Sequence, residues 1–126
     1  MQVWKAVIVD IETGEVLPPG REGEIQLKGF NMFLGYYNMP EKTKDAFTND
    51  GWFKTGDIGL FMENKEIRVI GRIKEIIIRS GENISPAEIE NVIIRSGLVS
   101  KVKVIGVPSK MRQEEVAACI IPIEKE

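Results

Sequence analysis

A chain of 126 residues is the size of one ordinary domain, and folding it would bury about two-thirds of its unfolded surface. Its 17 basic and 19 acidic residues leave a net charge of -2, so there is no basic excess to favour nucleic acid and no basic amphipathic helix to favour a membrane surface. The chain has no histidine and a single cysteine, which excludes Ser-His-Asp and Cys-His catalysis, histidine-ligated zinc, a disulfide framework and a thiolate metal site.

The first half reads mainly as β. "VWKAVIVD" is a buried-type strand, and "ETGE" is a turn that closes a hairpin with Val16 and Leu17. "PPGREG" is a loop, after which "EIQLKG" alternates and sets Ile25 and Leu27 on one face. "MPEKTKDAF" is a short helix with Pro40 at its first position, and "TNDGW" is a turn. Tyr36, Tyr37, Trp52 and Phe53 read as packing aromatics. In "FKTGDIG" an acid, Asp57, ends a Thr-Gly turn just ahead of an apolar stretch, and "IGLFMENKEIRVI" reads as a hairpin bent at Glu63 to Lys65.

After Gly71 the pattern turns mixed. "IIIRS" is a short strand, and Gly81 and Asn83 suit a turn that visits positive φ. "SPAE" is a capping box with Ser85 as cap, opening a helix that buries Ile89, Val92 and Ile93 and stops at Gly97. "VSKVKVIGV" sets Val102 and Val104 against Lys101 and Lys103, and "EEVAACIIPI" is the last strand, with Cys119 as a small core residue. The apolar run "VAACIIPI" is too short to span a bilayer and no signal peptide precedes Trp4, so the cytoplasm is the expected location. The expected architecture is α+β. A β-rich, partly barrel-like subdomain (1–70) is joined by a hinge (71–74) to an incomplete small α/β domain (75–126).

Four stretches taken together are more specific than any one of them: "GEIQLKGFN", "GYYNMPEKTKDAFTNDGWFKTGD", "IRVIGRIKEIIIRSGENISPAEIE" and "VKVIGVPS". In that order they resemble the adenylate-forming superfamily, in its branch of AMP-forming acyl-CoA synthetases. The likeness runs from about Gly23 to Ile123. It implies adenylation of a carboxylic acid, of fatty-acid type, by ATP with Mg2+, then transfer of the acyl group to CoA.

The resemblance also gives roles to residues. Asp57 matches the aspartate that accepts hydrogen bonds from both ribose hydroxyls of the nucleotide, a task that suits a carboxylate with two acceptor oxygens. Read from the residues alone, it is rather a turn acid capping amides. Arg72 matches an arginine that reaches ribose and phosphate, or else is a strand-end arginine paired to an acid. Lys74 matches the position about which the small domain swings between the half-reactions, or else is an exposed lysine. Gly81, Glu82 and Asn83 match the loop bordering the CoA pantetheine tunnel.

The family's phosphate loop, magnesium motif and acyl pocket precede the region seen here. Its catalytic lysine lies in a segment beyond Glu126, and Lys110 and Lys125 match no lysine motif. The chain thus reads as an internal slice, either an excised or truncated piece or a naturally short protein. On this reading the chain alone is inactive, holds no cofactor tightly, and associates into a dimer or larger assembly through unpaired strand edges. Two rivals stand beside it, a non-catalytic interaction module and an adenylation unit serving a carrier protein. Coding sequence continuing on both sides would favour the slice; a gene ending at Glu126 would favour the module.

Overall fold

A computed structural model describes residues 4–124, which form two compact units divided between Ile70 and Gly71. Val3 and Lys125 lie outside the described residues. The fold is α+β, mostly antiparallel sheet with two helices.

In the first unit β1 (Trp4–Val9), β2 (Gly23–Gly29), β3 (Phe53–Phe61) and β4 (Ile67–Arg72) form one sheet in sequence order. The β-branched residues of these strands supply the core: Ile8 stands opposite Ile25, and both are buried with Val9 and Ile58. The turn after β1 is built on Asp10, whose Oδ1 accepts from the amides of Glu12 (2.9 Å) and Thr13 (2.8 Å). Those amides, Thr13's above all, hold the Asp10 carboxyl below its ordinary range. The expected hairpin to Val16 and Leu17 shrinks to a single bridge, Val9 to Val16, and the ladder of β1 is made with β2 instead.

Helix α1 (Pro40–Ala46) begins at its proline, as the sequence suggests, and buries none of its residues. Beside it Phe33 meets Tyr36, Phe47 and Phe53 with ring centroids 5.1, 5.6 and 5.2 Å apart. Of the pair expected at the core or its rim, Tyr36 reaches Phe33 and Tyr37 is exposed.

In the second unit β5 (Ile77–Arg79) and β6 (Glu82–Ile84) form a hairpin, α2 spans Pro86–Arg95, and β7 (Val99–Ser109) pairs with β8 (Gln113–Pro122). The sheet order is β6-β5-β8-β7, so β7 is an edge. Its core is Ile77, Val99 and Val104, with Lys101 and Lys103 on the open face as the alternation predicts. Three sequence expectations need correction here. Val92 is 69% exposed, because the short α2 packs on β7 and leaves that side open. Cys119 is exposed, because β5 meets β8 at Arg79–Gln113 and the far half of β8 runs past it. Ser85 sits at the cap of α2, but its side chain makes no cap hydrogen bond, so the capping box is not formed.

The edge at β7 is closed by α2. Glu90 Oε1 accepts the amide of Val104 at 2.8 Å and lies 3.5 Å from Lys103 Nζ. The Val104 amide, aided by Lys103, holds the Glu90 carboxyl below its ordinary value of 4.5. A lowered carboxylate stabilises the fold above its unfolded pKa, and that contribution fades as pH falls through the lowered folded value. Thermal unfolding followed downward from pH 6 should therefore show a loss of stability in acid that Glu90→Gln blunts. Superimposable profiles for the two proteins would refute this.

Candidate functional site

The Thr-Gly-Asp segment is not a turn before a strand, as its composition suggests, but an interruption inside β3. Glu24 stands opposite Ile58 and Gln26 opposite Lys54, so Thr55, Gly56 and Asp57 all face Ile25. Such a bulge bends the strand and re-aims the side chains on it. Gly56 makes it possible by adopting φ +73, a left-handed conformation that costs a residue with a Cβ about 1–2 kcal/mol. Thr55 locks the far side: its Oγ1 donates to the Ile25 carbonyl at 2.7 Å and accepts the Asp57 amide at 3.1 Å. The Gly56 amide donates to Glu24 Oε1 at 3.3 Å. Asp57 is thereby set, half-buried, on a backbone pinned to β2.

The other named residues lie in the second unit. Arg72, exposed, ends β4, and its carbonyl accepts the amides of Glu75 (3.0 Å) and Ile76 (3.1 Å) to close a turn. Lys74 is inside that turn with its side chain exposed. Gly81 belongs to the tight β5–β6 connection, where Ser80 (φ 52) and Gly81 (φ 84) both take positive φ, as two-residue hairpin turns require, and Glu82 opens β6 opposite Arg79. Asn83 is in extended β6 opposite Ile78, so the positive φ expected of it falls on Ser80.

The sequence reading passed over what holds this hairpin. Gln113 Oε1 accepts the Gly81 amide (3.2 Å) and Glu114 Oε2 the Ile78 amide (2.7 Å). Arg79 Nε donates to Glu115 Oε2 at 2.9 Å, which with Arg112 keeps the Glu115 carboxyl below its ordinary range. The cluster "RQEE" at the β7–β8 turn was its signal, a run of polar side chains at the mouth of a hairpin. The structure thus groups Gly81, Glu82 and Asn83 on one hairpin and Arg72 with Lys74 on one turn, and sets Asp57 in the other unit.

No protein-family profile matches the chain. It is 42% identical over 116 residues to the zebrafish (Danio rerio) protein named medium-chain acyl-CoA ligase ACSF2, mitochondrial, which covers 92% of this chain and 19% of that protein. It is 40% identical over 108 residues to sulfoacetate–CoA ligase of Cupriavidus necator, covering 86% of this chain and 21% of that one. In structure it is similar to o-succinylbenzoate CoA synthetase of Bacillus subtilis in complex with its acyl-adenylate intermediate, with a TM-score of 0.87 and 31% identity, over 98% of this chain and 25% of that one. The chain therefore spans about a fifth of the length of the curated relatives it matches. On sequence and fold together, this chain is similar over nearly its whole length to one segment of longer proteins named as CoA ligases and synthetases.

Proposed function

We propose that the chain is the nucleotide-holding and joint-bearing segment of an AMP-forming acyl-CoA synthetase. The observation that carries this is Asp57, raised on a braced bulge within a chain whose fold matches an enzyme caught with an acyl-adenylate. Its carboxylate accepts from both ribose hydroxyls of ATP and of the adenylate, and Arg72 supports the ribose and phosphate. Lys74 is the turning point of a hinge at 71–74, between the last, partly barrel-like β subdomain (1–70) and the first part of the small domain (75–126). Gly81, Glu82 and Asn83 border the pantetheine of CoA. Among the described residues no three carboxylate, cysteine or histidine side chains gather to hold a metal ion.

A fatty acid is the proposed acyl substrate, supported by the name of the zebrafish relative, while the Cupriavidus relative is named for sulfoacetate. A cytoplasmic location belongs to the same proposal, and the mitochondrial name of the zebrafish relative stands against it. No helix among the described residues is long and apolar enough to cross a membrane. Exposed Phe30, Leu34, Ile120 and Ile121 favour association of isolated chains into dimers or larger assemblies, which light scattering would detect.

Alone, the chain is expected to bind AMP no better than millimolar. Two charge-assisted hydrogen bonds supply about 3–6 kcal/mol, against about 4–15 kcal/mol of lost translational and rotational freedom. Low-micromolar binding by titration calorimetry would contradict this. The functional test is a full-length acyl-CoA ligase whose aligned segment is replaced by this chain. Carboxylate-dependent thioester formation from ATP and CoA is expected, and a folded graft that forms neither adenylate nor thioester would overturn the proposal.

A further inference from the structure

We infer that Glu24 is a positioning residue for Asp57, an inference that rests on the ribose reading above. A bulge takes backbone groups out of the sheet ladder, and each buried or half-buried one must find another partner. The Gly56 amide is such a group, and Glu24 Oε1 accepts it at 3.3 Å. The second oxygen of the same carboxylate, Oε2, accepts from Gln26 Nε2 at 3.0 Å, and Gln26 is itself buried, with 7% of its surface exposed. The carboxylate is thus steered by a fixed neighbour and spans the bulge from β2. On the other side of Gly56 the Asp57 amide is held by Thr55, whose hydroxyl is anchored on Ile25.

Gly56 has the widest backbone freedom of any residue type; its own amide is tied to Glu24 of β2, and the next to Thr55, whose hydroxyl is anchored on Ile25. That is what fixes the direction in which Asp57 leaves the strand. A vicinal diol needs two acceptor oxygens aimed at two hydroxyls, and hydrogen bonds weaken steeply when misaligned. If Glu24 is removed, the Gly56 amide turns to water, glycine rotates, and the Asp57 carboxylate loses its aim while keeping its charge. Glu24 touches no substrate in this scheme and acts through Gly56.

The experiment has two arms. In the 126-residue chain, exchange of the Gly56 amide with solvent, followed by NMR, is expected to quicken about tenfold in Glu24→Ala. In the grafted ligase, affinities for AMP and 2′-deoxy-AMP are compared in wild type, Glu24→Ala, Glu24→Gln and Asp57→Ala. Wild type should favour AMP by about tenfold, a preference lost in Asp57→Ala and largely lost in Glu24→Ala. Glu24→Gln keeps a carbonyl oxygen for Gly56 and should retain most of it. Should Glu24→Ala fail to fold, Glu24→Asp, too short to reach Gly56, takes its place. Unchanged exchange at Gly56, or a full preference for AMP in the Glu24 variants beside its loss in Asp57→Ala, overturns the positioning role and leaves the ribose reading standing. A preference that survives Asp57→Ala overturns the ribose reading and the inference with it.

Discussion

Asp57→Ala is expected to weaken AMP binding to the grafted ligase about tenfold or more, because losing a single charge-assisted bond of about 1.5 kcal/mol already does so. The bonds that shape the bulge come from the Asp57 backbone and from Thr55 and Glu24, so they survive removal of the Asp57 side chain. Matching thermal-unfolding midpoints in the variant and wild type would show that a loss of affinity reports on the nucleotide rather than on the strand. Asp57→Asn should fall between, since its amide offers one acceptor oxygen and presents a donor to the second hydroxyl. Titration with AMP decides it: equal affinity in wild type and Asp57→Ala removes the ribose assignment.

Lys74→Pro should separate the two half-reactions. Lys74 sits in the turn closed on the Arg72 carbonyl, a few residues into the second compact unit. Proline would fix φ near −65° and press Ile73 out of the helical region, leaving the joint with fewer conformations. If adenylation and thioester formation need different orientations of the small domain, one rate should fall about tenfold or more while the other changes little. Rapid-quench timing of adenylate and of thioester in the grafted ligase reads both steps. Equal loss in both would mean plain destabilisation, and no loss in either would mean that Lys74 is a surface lysine.

Most strands and both helices were legible because their periodicity and punctuation are local. Pro40, Pro86 and Gly97 mark helix ends by their own dihedral limits, and Val102 to Val104 alternates as a one-faced strand must. What escaped the sequence depended on partners far along the chain. The apolar run around Cys119 promises burial, yet burial depends on how far β5 extends along β8, which no local pattern states. Val92 has helical spacing with Ile89 and is exposed because α2 packs on β7 and leaves that side open. Ser85 and Glu88 fit the capping-box spacing, but Ser85 Oγ is buried without a hydrogen-bond partner.

The candidate site divides along the same line. That Asp57 is a candidate was readable from its motif, but that it stands on a bulge was not, since the register shift arises between residues some thirty positions apart. Glu24 looked like one polar residue of an alternating strand, and its distance from Gly56 exists only once β2 and β3 pair. The same holds for Gln113, whose link to Gly81 closes only when the two hairpins of the second unit meet.

The most direct test of the central claim is a crystal structure of the grafted ligase with AMP bound. The Asp57 carboxylate is expected within about 2.5–3.0 Å of both ribose hydroxyl oxygens, with the Gly56 amide still on Glu24. A well-ordered AMP whose ribose hydroxyls meet solvent or some other side chain, with Asp57 turned elsewhere, would contradict it.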